Sequence, residues 1–506
     1  MNESWTRREM LTRTGMAATG LAAAAAAVSA GVGLSGCGTG SAGAGRRSKD
    51  VQYFVTRPDL QPPKVTLNHV APGHKLQYLF LGTAASGPGQ GGALIVDTTG
   101  QTIWFSPDRN GNKFDFALQS YRGKPVLTWF QGKIVTGGHG EGVEVIADDS
   151  YKVTHVLHAH NGLEADFHEL HLTPRGTALF TAYETVPYDL SPVGGPKHGW
   201  LLTGVAQEVD IATGELVFQW RCLDHIPLSE SYLALKGTGH TKAKPYDYFH
   251  INTIADAPDG SGDLLIGARN TWSVFKVSRK TGDVVWRLGG KRSDFTMGPG
   301  SQFYWQHDTR PHGPHVLTVF DDGFDAVMPK DEKESRALIL DVNTNQMKVT
   351  LRRQFTNPAP VLARAMGNAQ LLPDGGMFVG WGTNPYFSEF SADGRLLLEG
   401  QLAKGDPAYR SYIGDWKGRP AEPPAVAARH HAHGAMVYAS WNGATDVASW
   451  TVLAGRSSGS LSQAGTARKH GFETAIPVPA KGPYFAVEAR DAKGRVLRTS
   501  PVTKLA

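Results

Sequence analysis

The sequence predicts an all-β fold: a six-bladed β-propeller followed by a small C-terminal β-sandwich of the fibronectin type III or immunoglobulin kind. Three observations carry this expectation. Gly is abundant, at 60 of 506 residues, and no long run of helical periodicity follows the N-terminal segment. A polar turn leading into an apolar strand recurs six times, at 97–104, 148–155, 210–217, 278–286, 341–348 and 391–397. The copies lie roughly 50–70 residues apart, the spacing of a repeat architecture. Third, a short His-centred strand motif recurs as Asp166-Phe-His-Glu-Leu, Tyr248-Phe-His-Ile-Asn and Trp305-Gln-His-Asp-Thr.

Taken in order, residues 1–36 read as an export signal. Arg7 and Arg8 sit in a stretch that resembles a twin-arginine motif, and an Ala-rich run from 15 to 33 follows. Leu34-Ser35-Gly36-Cys37 resembles a bacterial lipobox, with Cys37 the lipid-modified first residue of the mature chain. The expected location is the outer face of the cell membrane, reached by the twin-arginine route. Residues 37–50 read as a flexible tether. The chain has two Cys; with Cys37 lipidated, Cys222 stands alone and no intramolecular disulfide forms.

Residues 51–425 carry the repeats and are read as the propeller. In the fourth repeat the expected strands are 250–255, 263–269, 273–277 and 284–288, four antiparallel strands making one blade. Gly or Asn in the recurring turns supplies the positive φ of a tight hairpin. Residues 419–424 read as a linker, and 432–506 as the sandwich, with strands expected at 436–442, 449–453, 472–476, 484–489 and 495–500. The net charge is +5, and no basic run interleaves with aromatics, so nucleic acid is excluded as a partner.

The innermost strand of each blade lines a central channel, and equivalent positions point to one axis. His168, His250 and His307 occupy one equivalent slot, so their imidazoles are expected to converge, each at the start of a strand. Asn368 fills the same slot in the next unit. Hairpin geometry places Arg269 near His250, Tyr183 near His168 and Asp321 near His307. The matching slots of other blades hold Trp129 and Trp381. Without charge pairing, buried imidazoles stay neutral, and one serves as nucleophile or base near neutral pH. Other histidines are set aside. His168-Glu-Leu-His171 lacks the helical spacing of a zinc protease and lies on a strand, whose alternate residues face opposite sides. His430, His431 and His433 read as an exposed linker, His312 and His315 as surface. Residues 321–325 lack the calcium-loop pattern and read as a turn. No metal site is expected.

Phe249-His-Ile-Asn-Thr253, Ile266-Gly-Ala-Arg-Asn-Thr271 and Trp305-Gln-His-Asp308 resemble motifs of the bacterial PAPS-independent arylsulfotransferases, and best their actinobacterial lipoprotein branch. The resemblance implies a six-bladed propeller in which His307 is transiently sulfated. It implies that His250 and Arg269 hold the sulfuryl oxygens and that His168 assists them or the phenolic oxygen. Asn252 and Asn368 would help bind substrate, and Tyr183, Trp129, Trp305 and Trp381 would stack on aryl rings. The implied partners are an aryl sulfate donor and a phenolic acceptor, used in ping-pong fashion without a cofactor. The chain lacks a Walker-type loop, in keeping with a nucleotide-free donor. It is expected to depart from some characterised members in lacking their disulfide, and from the best-studied branch in lacking the extra N-terminal β-domain through which members of that branch often dimerise. Two other classes compete: a metal- or quinone-dependent propeller enzyme with the three His as ligands, separable by metal analysis, and a non-catalytic propeller that binds at the cell surface, favoured if no aryl sulfate is turned over by folded protein.

Overall fold

The computed structural model describes residues 47–75, 77–84, 86–135, 138–324, 334–403, 405–479 and 482–506. The signal and lipobox, Cys37 included, lie outside them. The described chain is all-β, with three single-turn 3-10 helices and sheets that are antiparallel apart from two short parallel pairings, Leu201–Leu202 with Tyr246–Asp247 and Thr296–Met297 with Lys348–Val349, and none of its helices is long and apolar enough to cross a membrane.

Among the described residues, antiparallel groups of four strands follow one another. The first to be completed in sequence is Asn112–Tyr121, Lys124–Val135, His139–Ala147 and Val153–Leu157. Next come Ala165–Leu172, Thr177–Tyr188, Gly199–Asp210 and Leu216–Arg221. Then follow Ile251–Asp256, Leu264–Ala268, Ser273–Val277 and Val284–Gly289, within one residue of the ranges read from sequence at every end. The fourth is His307–Pro311, Val316–Asp321, Arg336–Asn343 and Lys348–Thr356, and the fifth Asn368–Leu371, Met377–Gly380, Tyr386–Phe390 and Leu396–Gln401. The last group is assembled from both ends of this region: Ala408–Gly414 pairs with Tyr78–Thr83, which continues to Gly92–Val96 and Thr102–Pro107.

The arrangement is propeller-like. The leading strands of the groups touch in cyclic order, the Ala408–Gly414 strand meeting both Asn112–Tyr121 and Asn368–Leu371. Apolar side chains fill the space between neighbouring groups, for example Phe80, Phe116 and Trp129 in one space and Phe320, Met377 and Trp381 in another. Each sheet therefore buries both faces against neighbours, which is why its strands read as near-continuous apolar runs. Outer edges are partly covered: Thr66–Val70 pairs with Leu396–Gln401, and Thr296–Met297 with Lys348–Thr356.

The leading strands are irregular. Register shifts interrupt the pairing between Phe114 and Ala117, between Ile251 and Thr253, and between His307 and Arg310, and opposite Phe180 and Thr181 in the pair that contains His168. Asp115 and Asp308 take positive φ there, 50° and 47°. Such bulges re-aim side chains by one position. Contrary to the sequence reading, His168 lies inside its strand and His250 lies one residue ahead of its own.

Two further sheets enclose a separate core around Val437, Trp450, Val452, Ile476, Phe485 and Val487. One holds Ala425–His431, Gly434–Ser440 and Glu473–Val478; the other is built on Ser449–Ser457 and Tyr484–Arg490, with Ser460–Arg468 on its flank. The 430–433 segment read as linker is thus the tip of a hairpin, His431 opposite Gly434. The N-terminal segment bridges to this part: Glu473 accepts from the Val55 and Thr56 N–H groups, and Phe54 and Phe472 lie 4.1 Å apart.

Candidate active site

The structure brings the three histidines to the hub. The rings of His168 and His250 meet edge to face, 4.7 Å between centroids. His307 is close enough that both rings and Arg269 oppose its protonation. All three are almost wholly buried. Arg269 extends over the Trp305 ring, its guanidinium carbon 4.3 Å from the centroid, and its backbone N–H donates to the His250 carbonyl. Tyr183 lies 5.8 Å from the His168 ring and 6.0 Å from the His250 ring, and its hydroxyl donates to the Ile251 carbonyl at 2.6 Å.

Each imidazole is paired with a carboxylate, which corrects the expectation of unpaired rings. His168 Nδ1 is 2.7 Å from Asp166 Oδ2, His307 Nδ1 is 2.5 Å from Asp322 Oδ2, and His250 Nδ1 contacts Asp247 Oδ2. Burial, then Arg269 and the neighbouring imidazoles, hold His250 and His307 well below the ordinary range of histidine. Burial pushes Asp247 up to about 6 and, joined by Asp321, pushes Asp322 well up. Each of these two pairs accordingly holds one shared proton rather than a full ion pair. Burial also acts to raise Asp166, but the His168 ring and the Gly140 N–H outweigh it and bring the carboxyl to about 2.

The two Nε2 atoms differ. His307 Nε2 accepts the Met366 N–H at 3.2 Å, whereas His250 Nε2 is buried without a partner. Met366 takes φ +72° to present that N–H, a strained conformation for a side-chain-bearing residue. The same loop accepts the Trp305 indole N–H at the Arg364 carbonyl.

One residue further along the leading strands lies a floor of buried charge. Arg410 is 3.0 Å from Asp115 and 3.4 Å from Glu169, and donates to the Asn252 carbonyl. Arg310 reaches Glu169 and Asp308, each at 2.8 Å. This network joins strands from five groups and occupies the hub beneath the imidazoles.

Other expected positions lie elsewhere. Trp129 packs with Phe80, Trp104 and Phe116, and Trp381 is fully enclosed with its indole N–H on Ser388; both are core residues between neighbouring sheets, not partners of the imidazoles. Asn368 exchanges both hydrogen bonds with the Ser411 backbone, and Asn252 donates to the Gln306 carbonyl, so each stitches adjacent leading strands. Asp321 binds Arg336 and the Tyr304 N–H; its neighbour Asp322 is the one at His307. His312 is half-buried on the Thr318 hydroxyl rather than a surface residue. Unanticipated is His139, a fourth buried imidazole 5.0 Å from the Tyr183 ring. Among the described residues no set of three or more His, Cys, Asp or Glu side chains is arranged to hold a metal ion. A cleft of about 550 Å³ lined by Trp220, His225 and Arg279 opens at the outer edge of the sheets and contains none of these groups.

The model of the family described as arylsulfotransferase (ASST) matches residues 117–403, which include all three histidines and Arg269. The chain belongs to the arylsulfotransferase family. This arylsulfotransferase is thus an enzyme of sulfuryl transfer, with an aryl sulfate as donor and a phenol as acceptor. No curated protein matches it. Among solved structures, it is similar to a protein of unknown function from Bacteroides caccae, at 12% identity and a TM-score of 0.40, over 67% of this chain and 98% of that one. It is also similar to the β-propeller domain of Myceliophteria thermophila Cps50 (Swd1), at 14% identity and 0.32, over 66% and 96%.

Proposed function

We propose that the enzyme moves the sulfuryl group by a ping-pong mechanism through an N-sulfohistidine on His307, without PAPS. The observation that supports this best is the meeting of three imidazoles and one guanidinium in a single buried hub. Sulfuryl transfer, like phosphoryl transfer, passes through a loose transition state, so positioning and charge stabilisation dominate. His307 attacks sulfur in line and the phenolate leaves. Arg269, held over the Trp305 ring, offers a planar fork of donors to the sulfuryl oxygens. His250 and His168 assist at the sulfuryl and phenolic oxygens, and Tyr183 and Trp305 border the aryl ring.

In the same reading, the cyclic set of sheets is a six-bladed propeller spanning 51–425, and 432–506 is a fibronectin III- or immunoglobulin-like sandwich. Residues 1–36 are a twin-arginine signal, and Cys37 is lipidated, anchoring the enzyme outside the cell membrane as in the actinobacterial lipoprotein branch. The test is incubation with 4-nitrophenyl sulfate and mass spectrometry of the His307 peptide under mildly basic conditions. A sulfated peptide in the native enzyme, and no transfer to phenol by His307→Ala, is expected. Full transfer by that variant removes His307 from the mechanism.

A further inference from the structure

The three Asp–His pairs look alike, but their outer nitrogens do not. Met366 donates its N–H to His307 Nε2. A nitrogen that accepts a hydrogen bond carries no proton, so the proton of this pair must lie on the Nδ1 side, between Nδ1 and Asp322 Oδ2. The lone pair of His307 is therefore at Nε2. Asp322 itself is fully buried, and its second oxygen has no partner. His250 has the same inner arrangement with Asp247, but its Nε2 is buried and empty-handed, on a ring that meets the His168 ring edge to face.

We propose, resting on the sulfohistidine reading above, that Asp322 and Asp247 are positioning residues that divide the labour between two imidazoles: Asp322 fixes His307 as the nucleophile, and Asp247 fixes His250 as the carrier of the phenolic proton. As the anionic donor binds, His250 Nε2 takes one proton from solvent. The His307 Nε2 lone pair forms the N–S bond while the S–O bond to the aryl group breaks. The bonding electrons pass to the aryl oxygen, which takes the His250 Nε2 proton and departs as phenol. The sulfated ring keeps its Nδ1 proton and is cationic, and the Asp322 carboxylate lies against it. That keeps the ring a good leaving group for the second half. There an incoming phenol gives its proton to His250 Nε2, its oxygen bonds to sulfur, and the N–S electrons return to His307. Met366 N–H, released from Nε2, is left facing the sulfuryl oxygens.

The two roles separate by leaving group. 4-Nitrophenol is a far more acidic phenol than phenol itself and leaves with little proton assistance. Sulfation of His307 is followed by rapid quench and mass spectrometry with 4-nitrophenyl sulfate and with phenyl sulfate as donors. Asp322→Asn should slow sulfation on the order of 10⁴-fold with both donors, by analogy with loss of the orienting carboxylate in a catalytic triad, while KM stays within about threefold. Asp247→Asn should lose less than about tenfold with 4-nitrophenyl sulfate and on the order of 10²-fold or more with phenyl sulfate. A merely structural carboxylate would not make the loss depend on the donor. Should Asp322→Asn fail to fold, Asp322→Glu, which keeps the charge but displaces it, should show the same donor-independent loss. Wild-type sulfation rates in the Asp322 variants, or equal losses on both donors in Asp247→Asn, overturn the proposal and leave the sulfohistidine intact. An unsulfated His307 in the native enzyme overturns both.

Discussion

Replacing Arg410 by Met tests the charged floor beneath the imidazoles. The guanidinium is fully enclosed, 3.0 Å from Asp115, 3.4 Å from Glu169 and 3.7 Å from Asp308. Met keeps much of the apolar stem but leaves three carboxylates facing Arg310 alone. Removing one partner of a buried ion pair costs about 3–5 kcal/mol, and the lost hydrogen bond to the Asn252 carbonyl adds about 1 kcal/mol. Protonation offers partial relief. Burial already pushes Asp115 up to about 6 with Arg410 in place, and loss of the cation moves it higher. The folded value exceeds the unfolded value of about 3.9, so this group favours the fold at low pH and withdraws that support as pH rises through the folded value. In the variant the withdrawal is larger and extends to higher pH. The expected deficit is thus about 4 kcal/mol at pH 7.5 and clearly smaller at pH 5. Urea unfolding at the two pH values, with equal slopes for variant and native protein, gives the difference directly. A variant as stable as the native enzyme at pH 7.5, or a deficit that grows on acidification, refutes the account of the floor.

Arg269→Lys keeps the charge but loses the planar fork and the stacking on Trp305; kcat/KM for 4-nitrophenyl sulfate should fall on the order of 10²-fold, and an unchanged value would mean that a point charge suffices. Trp381→Phe should lower stability by about 1–3 kcal/mol in denaturant while leaving kcat/KM of the folded enzyme unchanged, because the indole lies in a core between sheets; a specific loss of aryl affinity would return Trp381 to the site. Asp406 is buried, one carboxylate oxygen lacks a partner, and burial pushes it up to about 7. Its stabilising contribution is present at low pH and lost as pH rises from about 4 to about 7. Asp406→Asn should therefore gain stability relative to the native protein at pH 8, shown by a higher thermal midpoint, and show little gain at pH 4.

Much of the hub was legible because repetition survives in sequence. Three histidines in one strand slot, with Arg269 on the returning strand, follow from the two-residue period of a strand and the closure of a hairpin. Two of the partner carboxylates were within local reach as well: Asp166 stands two residues before His168, and Asp247 three before His250. Asp322 was missed by one position. A simple hairpin places Asp321 beside His307, but the bulge between His307 and Arg310 shifts the pairing, and a shift of one residue exchanges the two faces of a strand. The 430–433 segment reads as linker because its run of His hides the hairpin that the pairing of 425–431 with 434–440 reveals.

By itself the sequence determined the all-β class, the order of most strands, the turns that join them and the convergence of His168, His250, His307 and Arg269. Tertiary structure decided which carboxylate grips each ring, that Trp129 and Trp381 pack between sheets, that His139 joins the site, and that Arg410 closes the hub from a strand more than 200 residues away from Glu169. Periodicity fixes the face on which a side chain begins. Bulges, and the meeting of strands remote in the chain, fix what it finally touches.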